Sequence, residues 1–300
     1  MSKPKVIIIL GPTASGKTAL SIQTAKELGG EIISVDSRQV FTMLDIGTEK
    51  VTAIEMEGVP HHLIDIRRPE ESYSAGDFSN DANKLISEIH SRGNVPILAG
   101  GTNFYIDALL YGIPQTEPVN QKLRDELSAV DTEKLFSMLI HKDPARAETV
   151  DKHNKRRLIR ALEILETQPR VAARPSESQF LSTYDVEWKV IEVPRDILRE
   201  RIETRLKNTL AKGLVEEAQK VYDYLLATFA LHYGGLTKEE ITIMAQKKMK
   251  EFGLEYSVVL KHLLHPMTEE QLYTSLVSKL WQLAKRQKNW TKKILATARP

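Results

Sequence analysis

The sequence predicts an α/β protein: a parallel sheet flanked by helices and carrying an all-helical insertion. Three observations carry that expectation. Short, continuous apolar runs rich in Ile and Val alternate with longer segments of helical period, the pattern of strands buried on both faces and joined by crossover helices. The ends of the first four runs carry Gly11, Asp36, Asp65 and Gly100, at the carboxyl ends of strands where such sheets bind their ligands. From about 114 to 186 the strand signal stops and only helical periodicity remains. We therefore expect a core made of 1–114 and 186–300 and a helical insertion at 115–185.

The elements follow in order. Residues 6–10 are an unbroken β-branched run closed by Gly-Pro, a buried parallel strand rather than an amphipathic one. Lys17–Leu28 reads as a helix, 31–35 as a strand ending at Asp36, 62–66 as a third strand, Ala75–Ser91 as a helix and Val95–Ala99 as a strand before Gly100-Gly101. Within the insertion, helices are expected at Gln121–Ala129, 132–141, 144–150 and 153–167. The sheet resumes at 187–193. After Pro194 the chain is helical, punctuated by Gly213, Gly234-Gly235 and Gly253 and broken at Pro266.

Composition excludes several classes. The 300 residues contain no cysteine, so a disulfide scaffold, a zinc ribbon and a thiolate nucleophile are ruled out. No apolar run reaches the roughly 18 residues of a membrane span, and Met1 leads into a strand without a secretory signal. We expect a cytoplasmic monomer with no membrane partner. The net charge of +2 is unevenly spread. Residues 1–114 hold 10 Lys+Arg against 14 Asp+Glu, residues 151–175 hold 7 against 3, and residues 271–300 hold 7 against none. Two basic segments on a mildly acidic base suit a polyanionic partner, or else two solvated helix faces.

Gly11-Pro12-Thr13-Ala14-Ser15-Gly16-Lys17-Thr18 matches G-x-x-x-x-G-K-[ST] between a strand and a helix. The loop turns its N–H groups toward phosphate, Lys17 reaches the terminal phosphates and the Thr18 hydroxyl can ligate Mg²⁺. The expected fold is accordingly P-loop NTPase-like. Asp36, one strand away, can help hold Mg²⁺, act as a general base or cap a helix, and Ser37, Arg38 and Gln39 add hydrogen-bonding groups. Thr102, in Gly100-Gly101-Thr102-Asn103-Phe104-Tyr105, offers a hydroxyl beside the phosphates or an N-cap. Arg156, Arg157 and Arg160 lie at helical spacing beside the apolar stripe Leu158, Leu162, Leu165. Near the end, Lys285-Arg286-Gln287-Lys288 precedes Trp290, suiting RNA backbone and base stacking or a core anchor. Arg201 and Arg205 share a helix face, and one of them can reach the phosphate loop. His61-His62 lacks partners at metal-like spacing.

Together these residues resemble the tRNA dimethylallyltransferase family. The likeness rests on 11–18, Asp36-Ser37-Arg38-Gln39-Val40-Phe41, Gly47-Thr48, His62-Leu63-Ile64-Asp65, the 100–105 motif, Asp143-Pro144, Arg156 through Glu163, and Leu283-Ala284-Lys285-Arg286-Gln287 with Trp290. It implies transfer of a dimethylallyl group from dimethylallyl diphosphate to N6 of adenosine 37 in tRNAs reading codons that begin with U. It also implies Lys17 and Thr18 on diphosphate and Mg²⁺, Asp36 accepting the N6 proton, Gln39 holding the flipped adenine, Thr102 touching the reacting groups and Arg205 binding diphosphate. Expected tRNA contacts are Asp36, Ser37, Arg38, Gln39, Thr102, Arg124, Arg156, Arg157, Leu158, Ile159, Arg160, Lys285, Arg286 and Gln287, with the insertion gripping the anticodon stem-loop. The stretch around 237–250 departs from the family's usual pattern, and no zinc finger follows Trp290, so the bacterial form is implied. The alternative reading is a P-loop nucleotide or small-molecule kinase.

Overall fold

The computed structural model describes residues 2–113, 120–171 and 175–298. Two compact units emerge, Met1–Tyr111 with Ser178–Pro300, and Gly112–Glu177.

The first unit is built on a five-stranded, all-parallel sheet in the order β3-β2-β4-β1-β5. Its strands are β1 (Lys5–Leu10), β2 (Gly30–Ser34), β3 (His61–His62), β4 (Val95–Ala99) and β5 (Asp185–Val190). Central β1 is apolar on both faces because both are covered. Val6, Ile8 and Leu10 join one core with Phe78, Ile86 and Ile106, while Ile7 and Ile9 join the opposite core with Ile22 and Ala25. The helices that supply these layers are α1 (Lys17–Leu28), α2 (Ala75–Ser91) and α3 (Asn103–Tyr111). A capping box between Ser74 and Asp77 starts α2, each side chain satisfying an amide of the other's turn.

Two strands differ from expectation. The third ends at His62 because Leu63 and Asp65 turn into the left-handed region, φ 62 and 55. The chain there folds back on 39–42 through Asp65 N–H to Gln39 O at 3.1 Å and Ile66 N–H to Val40 O at 2.9 Å. The last strand begins at Asp185 and stops at Val190, because its partner β1 ends at Leu10, opposite Val190.

The second unit holds α4 (Gln121–Ala129), α5 (Thr132–Lys142), α6 (Pro144–Thr149) and α7 (Lys155–Leu165), close to the expected four helices. Its limits correct the expected ones. The 114/115 boundary lies outside the described residues. Residues 178–185, expected in the insertion, belong with the sheet: α8 (Gln179–Thr183) buries Phe180 in the sheet core, and Asp185 opens β5. Leu135, Leu139, Leu158, Ile159 and Leu162 form the helical unit's own core.

After the sheet come α9 (Arg195–Ala211), α10 (Leu214–His232), α11 (Lys238–Glu251), α12 (Leu254–Leu264) and α13 (Glu269–Ala298). Their shared core takes in Val40, Phe41 and Leu44 from the segment after β2, so this bundle is anchored beside the carboxyl end of the sheet. Among the described residues no helix is long and apolar enough to cross a membrane.

Candidate active site

The carboxyl ends of β1, β2 and β4 meet around one cavity. Gly100 makes the approach of β4 to β2 possible: a Cβ there would lie 2.1 Å from the Val35 carbonyl oxygen. The phosphate loop bends through Ala14 at φ 60 and Gly16 at φ 94, and α1 starts with no side chain capping it. Its first amides and the positive end of its dipole are thus left for an anion. The Ser15 hydroxyl is buried and has no partner among the described residues, a polar atom that a ligand oxygen in the loop would satisfy.

Lys17 Nζ donates to Pro12 O at 2.7 Å. Burial, with neighbouring Arg205 as a second cause, brings its ammonium down to about 8, against the opposing pull of Asp36. Arg205, on α9, donates from Nη1 to Thr13 Oγ1 at 2.9 Å, and its Nε is paired with the Glu49 carboxylate. Thr209 donates to the same carboxylate at 3.2 Å. The cavity is lined by Thr13, Lys17, Thr18, Asp36, Gln39 and Arg205, among others. Of Arg201 and Arg205, the second therefore reaches the loop.

Asp36 occupies the wall of this cavity and of a second one. Its Oδ1 accepts the Arg38 N–H at 2.9 Å, while Oδ2 carries no hydrogen bond among the described residues. The second cavity has aromatic and apolar walls from Phe104, Leu254, Leu283 and Trp290, with polar groups from Ser37, Thr102 and Arg286. Phe104 and Trp290 lie with centroids 6.1 Å apart. Thr102 Oγ1 accepts the Ser37 N–H at 3.0 Å and donates to Ser37 Oγ at 3.3 Å, which places its hydroxyl at the junction of the loops following β2 and β4. The arrangement suits a phosphorylated electrophile on one side of a carboxylate and a flat, partly apolar nucleophile on the other.

Several expected RNA contacts face inward. Arg38 is paired with buried Glu255 at 2.8 Å and lies 3.6 Å from Asp36, so it braces the carboxylate. The Gln39 amide accepts from Ser34 Oγ at 3.1 Å and donates to Thr48 O and Glu49 O at 3.2 and 3.3 Å, which makes it a wall of the cavity. Gln287 is 8% exposed and bonded to the phosphate loop. In the helical unit, Leu158 and Ile159 are core residues on the buried face of α7. Arg124 and Arg160 both bond the Glu163 carboxylate, at 2.8 and 2.7 Å. Arg156 and Arg157 are exposed, as are Lys285 and Arg286 on α13. Of the three arginines expected to present together from neighbouring faces, Arg156 and Arg157 are exposed and Arg160 turns toward buried Glu163.

The comparisons with known proteins bear on this geometry. The family model for IPP transferase matches residues 39–294. The chain belongs to the IPP transferase family. A relative from Staphylococcus carnosus (strain TM300), a tRNA dimethylallyltransferase, is 40% identical over 274 residues, covering 85% of this chain and 86% of that protein. A second tRNA dimethylallyltransferase, from Halalkalibacterium halodurans, is 41% identical over 228 residues, covering 74% and 73%. Among solved structures, the full-length tRNA isopentenylpyrophosphate transferase of Bacillus halodurans superposes with a TM-score of 0.63 at 35% identity, covering 97% of this chain and 87% of that one. A eukaryotic dimethylallyltransferase acting on tRNA gives a TM-score of 0.75 at 26% identity, covering 98% and 71%. These relatives do not favour the kinase alternative.

In this member of the family, sequence reasoning missed the acids that hold the basic groups. Glu49 pairs with Arg205, Glu255 with Arg38, and Glu163 with Arg124 and Arg160. The available signal for Glu255 was the Phe252-Gly253-Leu254-Glu255-Tyr256 stretch. At Gly253 a Cβ would meet Arg38 Nη1 at 2.8 Å, so the glycine marks where the arginine crosses the backbone. Nothing in the spacing of Glu49 or Glu163 announces its partner. For Mg²⁺, the cavity offers hard oxygen donors in the Thr18 hydroxyl and the Asp36 carboxylate. Among the described residues no three His, Cys, Asp or Glu side chains are grouped for a metal. That sparse set fits a cation whose other ligands come from substrate phosphates and water.

Proposed function

We propose that this chain transfers a dimethylallyl group from dimethylallyl diphosphate to tRNA, at N6 of adenosine 37 in tRNAs reading codons that begin with U. The products are the N6-isopentenyl nucleoside and diphosphate. The observation that carries this reading is the position of Asp36, on the shared wall of the phosphate-loop cavity and the aromatic-walled cavity, with Oδ2 unclaimed among the described residues.

The chemistry assigned to each residue follows. The bond from C1 of the donor to diphosphate oxygen breaks as the N6–C1 bond forms, and the bonding pair leaves with diphosphate. Lys17, Arg205, the amides at the start of α1 and the Ser15 hydroxyl stabilise that developing negative charge. Bound through Thr18 and the diphosphate oxygens, Mg²⁺ would supply further charge neutralisation there. The adenine leaves its stack and enters the cavity between Phe104, Trp290 and Leu283. Asp36 accepts the N6 proton, and its backbone and Arg38 contacts keep the carboxylate oriented. Thr102 holds the Ser37 loop against the reacting groups. The exposed cations Arg156, Arg157, Lys285 and Arg286 meet the phosphates of the anticodon stem-loop.

The test is mass spectrometry of tRNA nucleosides after incubation with the protein, dimethylallyl diphosphate and Mg²⁺. The expected product is adenosine carrying one isoprenoid unit. Asp36→Asn is expected to lower turnover by about 10²–10⁴-fold, the usual contribution of a general base, with RNA affinity retained. A folded wild-type protein that leaves tRNA unmodified refutes the assignment.

A further inference from the structure

Gln287 sits in the middle of α13, beside the exposed Lys285 and Arg286, yet its side chain turns into the protein. Its Oε1 accepts the Thr13 N–H at 2.8 Å, and its Nε2 donates to Gly101 O at 3.0 Å. Its own carbonyl accepts from Asn103 Nδ2 at 2.9 Å. At Gly101 a Cβ would come within 2.6 Å of Nε2, so the glycine leaves the space that the amide fills. One side chain thus joins the phosphate loop, the loop after β4 and α13.

These are the three pieces whose relative position matters for the reaction proposed above. Thr13 also receives Arg205 through its hydroxyl. Gly101 precedes Thr102, which holds Ser37. The same helix places Arg286 and Trp290 on the aromatic-walled cavity, and Gln287 itself lines both cavities. The Thr13 N–H is withdrawn from the anion-facing set of loop amides by this hydrogen bond, which therefore serves the loop's position and not ligand binding. An amide is the group that can do this, because it presents an acceptor to the Thr13 donor and a donor to the Gly101 acceptor at once.

We propose that Gln287 is a positioning residue for group transfer, holding the phosphate loop in register with the acceptor cavity, and not a contact to RNA. The inference rests on the function proposed above. A misplacement of about 1 Å between reacting groups can cost about 10²-fold in rate. Gln287 therefore acts on turnover and leaves RNA affinity alone.

The experiment compares full-length wild type, Gln287→Met and Gln287→Glu by steady-state prenyl transfer to tRNA, equilibrium tRNA binding and thermal melting. Met keeps the length and removes both hydrogen bonds; Glu keeps an acceptor for Thr13 and removes the donor to Gly101. The expected result for Gln287→Met is a kcat reduced by about 30-fold or more, on the scale of small misplacements, with tRNA Kd within about 2-fold because no phosphate partner is taken away. Gln287→Glu is expected to fall between wild type and Gln287→Met in kcat, again with tRNA Kd unchanged. A tRNA Kd that rises in step with the fall in kcat overturns the inference in favour of an RNA contact, and unchanged kcat overturns it outright. Should Gln287→Met fail to fold, the same two criteria applied to Gln287→Glu decide. An inactive wild type refutes the prenyl-transfer reading itself, whereas active wild type with an equally active variant refutes only the role of Gln287.

Discussion

Lys17 shows what the fold does to a single residue. A lysine whose pKa would ordinarily be 10.5 is brought to about 8, first by burial and then by Arg205, so near neutral pH its positive charge is held at a cost. Because the folded pKa lies below the unfolded one, the unfolded chain binds the extra proton between about pH 8 and 10.5. The penalty is fully present below that window and is relieved as pH rises through it. Lys17→Met is therefore expected to raise the thermal midpoint at pH 7 while abolishing affinity for inorganic diphosphate, measured by melting and calorimetry. In wild type, diphosphate draws Lys17 back to its charged form, so binding above about pH 8 is expected to take up a proton. Calorimetry in buffers of different ionisation enthalpy reads that uptake directly, and buffer-independent heats would contradict it. Lys17, Asp36 and Thr102 stand in motifs whose residue types and neighbours mark them as chemistry-bearing, whereas helical spacing left Arg201 and Arg205 equivalent and the Thr13 contact separates them. Glu49 was not legible, since an acid that belongs to no motif becomes meaningful only when Arg205 is seen beside it.

At the scale of elements, two buried carboxylates hold segments together. Glu31 on β2, 4% exposed, takes Arg92 through Nε and Nη2 at 2.9 and 2.8 Å, Asn94 at 2.8 Å and His62 at 2.7 Å. The Arg92 bonds chiefly hold its carboxyl down to about 2. Its contribution to stability is thus present above the unfolded value of 4.5 and is lost as pH falls from there toward about 2. Glu31→Gln is expected to flatten that part of the acid limb in urea titrations and to lower stability at pH 7. In the helical unit, burial opposes ionisation of Glu163, but Arg160 and Arg124 keep its pKa lowered. The Asn120 N–H joins them at 2.8 Å, tying the start of α4 to α7. Glu163→Ala is expected to cost about 1–3 kcal/mol, because the Asn120 N–H loses its acceptor while the two arginines, each about a third exposed, turn to water, read as faster amide exchange across 120–165 with the sheet unit unaffected. Most helices were legible because their periods are local: Ala75–Ser91 was expected as a helix and is one, with Ser74 and Asp77 closing its first turn. The ends of β3 and β5 were not: β3 stops where Leu63 turns into the left-handed region, and β5 stops where its neighbour β1 stops.

For the whole molecule, the net charge of +2 matters less than where the cations stand. Arg156 and Arg157 are exposed on α7, and Lys285 and Arg286 on α13. Replacing Arg156 and Arg157 with Ala is expected to weaken tRNA binding and to lower the slope of log Kd against log salt by about 0.7–0.9 for each phosphate no longer neutralised, with kcat at saturating tRNA retained. A slope that does not change would show that these arginines do not meet phosphate. The sequence by itself determined the sheet with its phosphate loop, the presence of a helical insertion and the residue types around the cavity, while the family entered through the resemblance of its ordered motifs. Local spacing and strand patterning are enough for that, since each signal spans a few residues. Only the tertiary structure decided which polar side chains line the cavities and which are taken up by other parts of the protein. Gln287 reaches Thr13 across 274 positions of chain, Arg38 reaches Glu255 across 217, and Arg205 reaches Thr13 across 192. Helical period tells which residues share a face, but the partner opposite that face is set by packing, and a buried donor or acceptor takes the partner that packing brings within reach.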